Sequence, residues 1–472
     1  MSAPNFLENF IYRQKKPISC VASVTILFLA LIFVTLSIIS PLFAFLILIV
    51  FLITAIAVRL EWGVYLLAAV AFFQGWEIDF FYYAWTRDFP FLSSLNAPIV
   101  DFVVVMVCVS FLLALVLRLY HLSIKKWSDL FPGGLPYGLF LLTALGSVFF
   151  SGNISVNSGL YVWLRLLVFV YVMFIFLPYH AIRTKKIFEH VIQIWFVVSL
   201  GIALYGISSL FMNTGVDWLR VTPYAIGSFA PLGYNHNLLA EPLIVIIPLG
   251  IWLSMAAKPL YRFWYALGVF LMTIVALLTL SRAAWVALCA QAVLFVWMNR
   301  KKAAHLLSRL KIEWVLLSVA LFLPIVVYMG LFLTSSTVSS STFSRIEATK
   351  VVLALFQERP LFGYGPGTFI SLLDDVELYV REFGEALDAH GFVQKIMVEE
   401  GALGLVFFLW FLVWVLWTLY RTGRQTWQGQ MIFLMILGAV TFQLFNTSYF
   451  HSVMWLPMGI ALYAYRSHYS NT

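Results

Sequence analysis

A few charged and titratable side chains stand where an otherwise apolar chain has no ordinary use for them. Arg220 lies in a polar connection, Arg282 follows Ser281 at the head of an apolar run, and Arg345 stands second in the stretch "SRIEATKVVLALFQERPLFGYGPGTF". A guanidinium is planar, permanently charged and bonds phosphate oxygens two at a time, so arginines so placed suit an oxyanion. His390, in "DAHGF", has an ordinary pKa close to neutrality and can take a proton from a hydroxyl. Arg165 lies within an apolar run, where an ionisable group marks a pathway or a buried pair. Arg359 precedes Pro360, while Glu241 and Glu399 are carboxylates able to orient a histidine or an arginine. His236 adjoins Asn235 and Asn237, and His451 sits in "NTSYFHS". Each has a plainer use. Arg282 could snorkel to headgroups, Arg345 could be a solvated face, Arg220 could pair with Asp217, and His390 could cap the next helix. "HGF…EE" brings no second clustered His or Cys, so no metal site is expected. "GYGPG" has neither the preceding strand nor the following Lys-Ser/Thr of a phosphate loop.

The elements that must position these residues follow from composition. The chain has 472 residues, 62% hydrophobic and 11% charged, with a mean hydropathy of +0.95. No soluble domain carries that balance. Apolar runs of about 20 residues match a hydrocarbon core of roughly 30 Å, and only helices and closed barrels satisfy their backbone there. The expected fold is all-α, a polytopic membrane bundle of about 12–14 transmembrane helices with a large helical outer loop. Candidate spans are 18–39, 41–58, 62–76, 98–119, 135–150, 160–178, 187–212, 237–257, 262–280, 283–298, 313–334, 399–420, 430–446 and 453–466. The first apolar run continues into a second, so both read as spans and not as a removable signal. Cys20, Cys108 and Cys289 all lie in apolar runs and read as core residues.

Charge orients the bundle. Alternate connections carry most of the 29 basic residues, among them Arg13, Lys15, Lys16, Arg118, Lys125, Lys126, Arg183, Lys185, Lys186, Arg300, Lys301 and Lys302. By the positive-inside rule these connections and both termini are cytoplasmic. Arg87, Arg165, Arg220, Arg282, Arg345, Lys350, Arg359, Arg381 and Lys395 fall at or near the outer face, against that rule. The net charge of +8 is thus a topology signal, and no basic patch interleaved with aromatics points to nucleic acid. The chain divides into an N-terminal transmembrane part (1–334), an outer loop (335–398) and C-terminal spans (399–472). In the loop "TSSTVSSSTF" reads as a flexible lead, and Ser344-x-x-Glu347 as a capping box opening a helix. Arg359-Pro360 ends that helix, the glycines of "GYGPG" turn the chain, and a second, acidic helical piece covers about 368–386.

Four motifs then stand in order: "LGYNHNLLAEPL" (232–243), "LTLSRAAWVAL" (278–288), the 344–369 stretch, and "AHGFVQKIMVEEGALGLVFF" (389–408). Together they resemble the O-antigen ligase and O-antigen polymerase (Wzy-type) superfamily over roughly residues 210–420. Gly391 departs from the pattern, which has Asn after the His. The resemblance implies a GT-C-like glycosyltransferase of the bacterial inner membrane, with its site facing outside. Its partners would be an undecaprenyl diphosphate-linked glycan, an acceptor glycan or glycolipid, and membrane lipids, with no nucleic acid and no cofactor. Arg220, Arg282 and Arg345 would hold the donor diphosphate and His390 would be the base, with Arg165, Glu241, Arg359 and Glu399 in support and no metal. The ligase reading, with lipid A-core as acceptor, is taken first. A polymerase of lipid-linked repeats shares the same motifs, and an anion transporter is the competing class.

Overall fold

The computed structural model describes residues 40–79, 96–122, 127–150, 156–212, 218–227, 229–301, 312–376, 388–446 and 451–469. Its principal helices are α1 (Pro41–Val58), α2 (Leu60–Val70), α3 (Ile99–Val116), α4 (Gly134–Phe150), α5 (Val156–Ala181), α6 (Lys185–Ser208), α7 (His236–Ala256) and α8 (Pro259–Leu278). They continue as α9 (Arg282–Met298), α10 (Ile312–Leu333), α11 (Ser336–Glu358), α12 (Phe369–Asp374), α13 (Phe392–Glu399), α14 (Gly401–Gly423), α15 (Trp427–Gln443) and α16 (Ser452–Tyr469). One short antiparallel pair, β1 (Glu77–Asp79) with β2 (Asn96–Pro98), is the sole sheet among the described residues. The fold is that of a polytopic all-α membrane protein.

Polar caps and prolines punctuate the apolar runs. Prolines open α1 and α8, where a missing N–H costs nothing. The Thr184 and Thr426 hydroxyls accept first-turn N–H groups of α6 and α15. Within α5, Arg165–Phe176 is wound as a π-helix. α7 is the central rod: it packs against α6, α8, α9, α15 and α16, and 72% of its apolar window is buried. On the periphery Phe51, Val116, Leu142, Val197, Phe263, Trp264 and Val293 are exposed, a surface that hydrocarbon covers and water would not.

Among the described residues, not every candidate span of the sequence is a helix long enough to cross a bilayer by itself. Among the described residues α3, α5, α6, α7, α8 and α14 are each long and apolar enough to cross a bilayer. α1 and α2, expected as two spans, form one pair bent by 116° at Arg59. α2 has only 11 residues, about half of the roughly 20 that a crossing needs. α4 and α9 are apolar but 17 residues long. The expected span 18–39 lies outside the described residues.

The loop differs too. The Ser/Thr run is helical, because α11 starts at Ser336, with the Ser335 hydroxyl accepting from Val338 N at 3.4 Å. Ser344 is therefore a buried mid-helix residue, and Glu347 pairs with Lys350 at 2.7 Å instead of capping. Hydroxyls that would compete with the backbone bond back into it: Thr342 Oγ1 donates to Val338 O at 2.7 Å and Ser339 Oγ to Ser335 O at 3.2 Å. Of the expected 368–386 helix, α12 covers Phe369–Asp374, and 377–387 lie outside the described residues. Glu399 closes the short α13 and does not begin a span, which starts at Gly401.

Candidate active site

Two helix starts set the first arginines. Asn235 caps α7, its Oδ1 accepting from Asn237 N at 2.9 Å. Ser281 caps α9, its Oγ accepting from Ala284 N at 3.3 Å and donating to Asn237 Oδ1 at 2.7 Å. The N-termini of α7 and α9 are thereby pinned together. Leu280, at a φ of 54°, makes the abrupt turn out of α8 that puts Arg282 in the first turn of α9. The Arg282 fork spans two hydroxyls of α11: Nη1 donates to Thr342 Oγ1 at 2.8 Å and Nη2 to Ser341 Oγ at 3.0 Å. Arg345 follows one turn later on α11. Arg220 is tied to the end of α8 by its Nε, which donates to Thr279 O at 2.9 Å.

These three side chains converge. Arg220, Arg345 and Arg282 all act electrostatically on His236, and Arg282 acts on both Arg220 and Arg345. Among the described residues no carboxylate pairs with any of the three. Burial first, and Arg282 second, pull Arg220 and Arg345 down to about 10. The Arg345 Nε is buried and has no hydrogen-bond partner among the described residues. Clustered guanidinia at two helix N-termini, where the backbone dipole is also positive, make a site short of negative charge.

His390 is tied to the same helix. Its backbone N–H donates to Gln394 Oε1 at 3.2 Å, and Gln394 Nε2 donates to Thr349 Oγ1 at 2.9 Å, one turn beyond Arg345. Burial, then Arg345 and Arg282, lower its pKa to about 4 against the opposing Asp388. The imidazole is therefore neutral and free to accept a proton. The N-cap of α13 is Gly391, one residue later, so His390 does not occupy the capping position. A Cβ at 391 would stand 2.2 Å from Leu444 O, which gives a packing reason for glycine where the family pattern has asparagine.

The other candidates are dispersed. The Arg359 guanidinium lies 4.8 Å from the Tyr364 ring, and its carbonyl accepts from Gly363 N at 3.2 Å. Glu241 is buried within α7 and accepts from Gln443 Nε2; it is paired there and not with His390. Arg165 pairs with Asp101 at 3.3 Å. Glu399 is 0% exposed, accepts from Phe369 N at 3.2 Å, and is raised by burial to about 7 despite Lys395. The glycine turn is a clamp between two motifs. Tyr364 N donates to Val398 O at 2.9 Å, Gly365 N to Glu399 O at 2.7 Å, and Ala402 N to Pro360 O at 2.8 Å. At Gly363 (φ 65°) a Cβ would meet Val398 O at 2.4 Å. Sequence reasoning passed over Ser341 and Thr342, which lie in the run read as a flexible lead; His236, noted beside Asn235 and Asn237, was not among the residues expected to act, and here it stands first in α7 within the field of all three arginines. Among the described residues no group of three or more His, Cys, Asp or Glu is gathered to hold a metal.

Residues 267–409 match the family described as O-Antigen ligase. That segment includes Arg282, Arg345, Arg359, His390 and Glu399, and leaves out Arg165, Arg220 and Glu241. No curated protein matches the chain. The match supports membership of the O-antigen ligase and polymerase superfamily, and with it a ligase- or polymerase-type activity on a lipid-linked glycan and a glycan acceptor.

Proposed function

From a chain that carries an O-antigen ligase family domain, we propose a ligase-type glycosyltransferase. It moves a glycan from undecaprenyl diphosphate to an acceptor sugar of lipid A-core at the outer face of the bacterial inner membrane. The observation behind this reading is the trio Arg220, Arg282 and Arg345, gathered without a pairing carboxylate among the described residues. A diphosphate at the interface, with about two negative charges, supplies what that cluster lacks. The acceptor hydroxyl oxygen attacks the anomeric carbon, and the bond from that carbon to the diphosphate oxygen breaks. The electron pair stays on the departing phosphate, whose charge grows, so fixed guanidinia favour the transition state over the ground state. The hydroxyl proton passes to His390. Donor binding also offsets part of the arginine field on His390, so the base strengthens once its substrate is in place. Charge neutralisation is assigned to the guanidinia, and the chemistry is read as metal-independent.

A polymerase of O-antigen, capsule or exopolysaccharide repeats would use the same donor site with a second carrier-linked repeat as acceptor. An anion transporter is less favoured, because the arginines gather at helix starts and not at a midplane between inverted repeats. Deleting the gene in its host and resolving the surface glycans separates the readings. Loss of all long glycan from the acceptor supports the ligase, and an acceptor bearing one repeat supports the polymerase. Unchanged glycans refute both.

A further inference from the structure

A second polar cluster adjoins Asp388, two residues before His390, and its composition differs from that of the arginine trio. Arg165, the first residue of the π-helical part of α5, pairs with Asp101 in the first turn of α3 at 3.3 Å. Their side chains are 28% and 7% exposed, so the pair opens on the arginine side. The guanidinium stands 5.5 Å from the Phe169 ring, and Tyr161, one α-helical turn earlier, is exposed. Both Asp388 oxygens accept from Lys395 Nζ, at 2.8 and 2.7 Å. His451, just ahead of α16, feels Arg165, Lys395 and Asp388. Its Nδ1 is buried with no hydrogen-bond partner among the described residues. Burial, then Arg165 and Lys395, hold that imidazole at about 4, so it is neutral and offers one donor and one acceptor. π-Helical turns are rare and recur at functional sites.

The two clusters select different ligands. Arg220, Arg282 and Arg345 offer cations alone and suit an anion. Around Arg165 the cations alternate with carboxylates, so a phosphate there would meet Asp101 and Asp388. A sugar hydroxyl donates and accepts at once, and a set mixing guanidinium, carboxylate and neutral imidazole answers both needs. Two residues span at most about 7 Å of chain, so what Asp388 touches lies near His390. We infer that Arg165, Asp101 and His451, with Asp388, form the subsite that holds the hydroxyls of the acceptor sugar beside His390. This rests on the transferase reading above.

Two probes separate this subsite from the donor site. One is undecaprenyl diphosphate. The other is the lipid-free oligosaccharide mixture released by mild acid from the host's own surface glycolipid. Binding of each to the full chain in nanodiscs is followed by thermal shift and by saturation-transfer NMR. Wild type is expected to bind both. Arg165→Gln and His451→Asn should weaken oligosaccharide binding at least about fivefold and leave undecaprenyl diphosphate within about twofold, with the reverse for Arg282→Ala. Arg165→Gln strands Asp101 as a buried unpaired charge, so the charge-balanced double variant Arg165→Gln/Asp101→Asn must show the same split. The subsite is overturned by oligosaccharide binding that survives in these variants, or that falls equally in Arg282→Ala. It is equally overturned if wild type binds undecaprenyl diphosphate and no oligosaccharide. Failure of wild type to bind undecaprenyl diphosphate removes the transferase reading, and the subsite with it.

Discussion

Replacing Arg282 by lysine keeps the positive charge at the start of α9 and removes the fork. That fork reaches two different hydroxyls, Thr342 Oγ1 at 2.8 Å and Ser341 Oγ at 3.0 Å, and a compact ammonium on a flexible stem cannot hold both in the same geometry. One hydrogen bond from a charged donor is lost, worth about 1–2 kcal/mol of stability at a half-exposed site. The loss in catalysis is larger. Removing a fixed donor aimed at developing charge costs about 3–4 kcal/mol in the transition state, a fall in rate on the order of 10²–10³. The signature is therefore a slow enzyme that is only slightly less stable. The double variant Ser341→Ala/Thr342→Ala supplies the contrast: it keeps the guanidinium but takes away its two hydroxyl partners. It should lose at least as much stability as Arg282→Lys, and about tenfold or less in rate. Initial rates of glycan transfer in nanodiscs, using lipid-linked donor extracted from the deletion strain, are read beside thermal unfolding of the same samples. Wild-type transfer by Arg282→Lys at normal protein level would make the residue an anchor for α11 and refute the diphosphate contact. Equal rate loss in Ser341→Ala/Thr342→Ala and Arg282→Ala would show that the grip on α11, and not contact with substrate, sets the rate.

Three other perturbations bear on neighbouring parts of the site. His390→Asn should slow transfer by about 10²–10⁴-fold while undecaprenyl diphosphate binding stays intact, and a variant with near wild-type rate removes His390 from the mechanism. With His390 held at about 4 by burial and by Arg345 and Arg282, the acid limb of kcat/KM should lie well below the ordinary 6.5 and that of kcat above the kcat/KM limb, since donor binding raises the base; a kcat/KM limb at or above 6.5 contradicts the arginine field. Glu399 is raised from an ordinary 4.5 to about 7 and Glu400 further, so between these values the unfolded chain is ionised while the folded chain keeps its proton. Stability should therefore fall as pH rises from 4.5 towards 7. Glu399→Gln should lessen that slope and Glu399→Gln/Glu400→Gln remove most of it; an unaltered slope in thermal melts would place its origin elsewhere. Gly391→Asn, which restores the family pattern, should destabilise by about 1–3 kcal/mol because a Cβ there meets the Leu444 carbonyl, and an unchanged melting temperature would show that the contact relaxes freely.

The bundle was legible because apolar runs and their polar caps are local signals. Ser281 before Arg282 announces a helix start, and it is one. His390 stood out because it closes the loop motif. What did not show was proximity. His236 is visible in sequence as a neighbour of Asn235 and Asn237, but nothing local tells that the charges of Arg220, Arg345 and Arg282 will all bear on it. The first half of α11 was hidden for a different reason. Serine and threonine weaken helices by competing with the backbone, and nothing local reveals that Ser341 and Thr342 will also serve Arg282. Arg59 reads as a cytoplasmic connection between two spans, yet the chain merely bends there. Glu399 reads as the head of a span because the apolar pattern resumes beside it, whereas its carboxylate is enclosed by the turn that carries Phe369.

The absence of counter-carboxylates around Arg220, Arg282 and Arg345 among the described residues has a consequence for turnover. On the proposed reading, the carrier leaves the reaction with its diphosphate more negative than when it arrived glycosylated. No neighbouring acid is present among the described residues to compete for the guanidinia as it goes. The spent carrier should then bind more tightly than the donor, and its departure should be slower than bond cleavage. Product inhibition by undecaprenyl diphosphate, relieved by an enzyme that hydrolyses its terminal phosphate, would set the pace of glycan export through this protein.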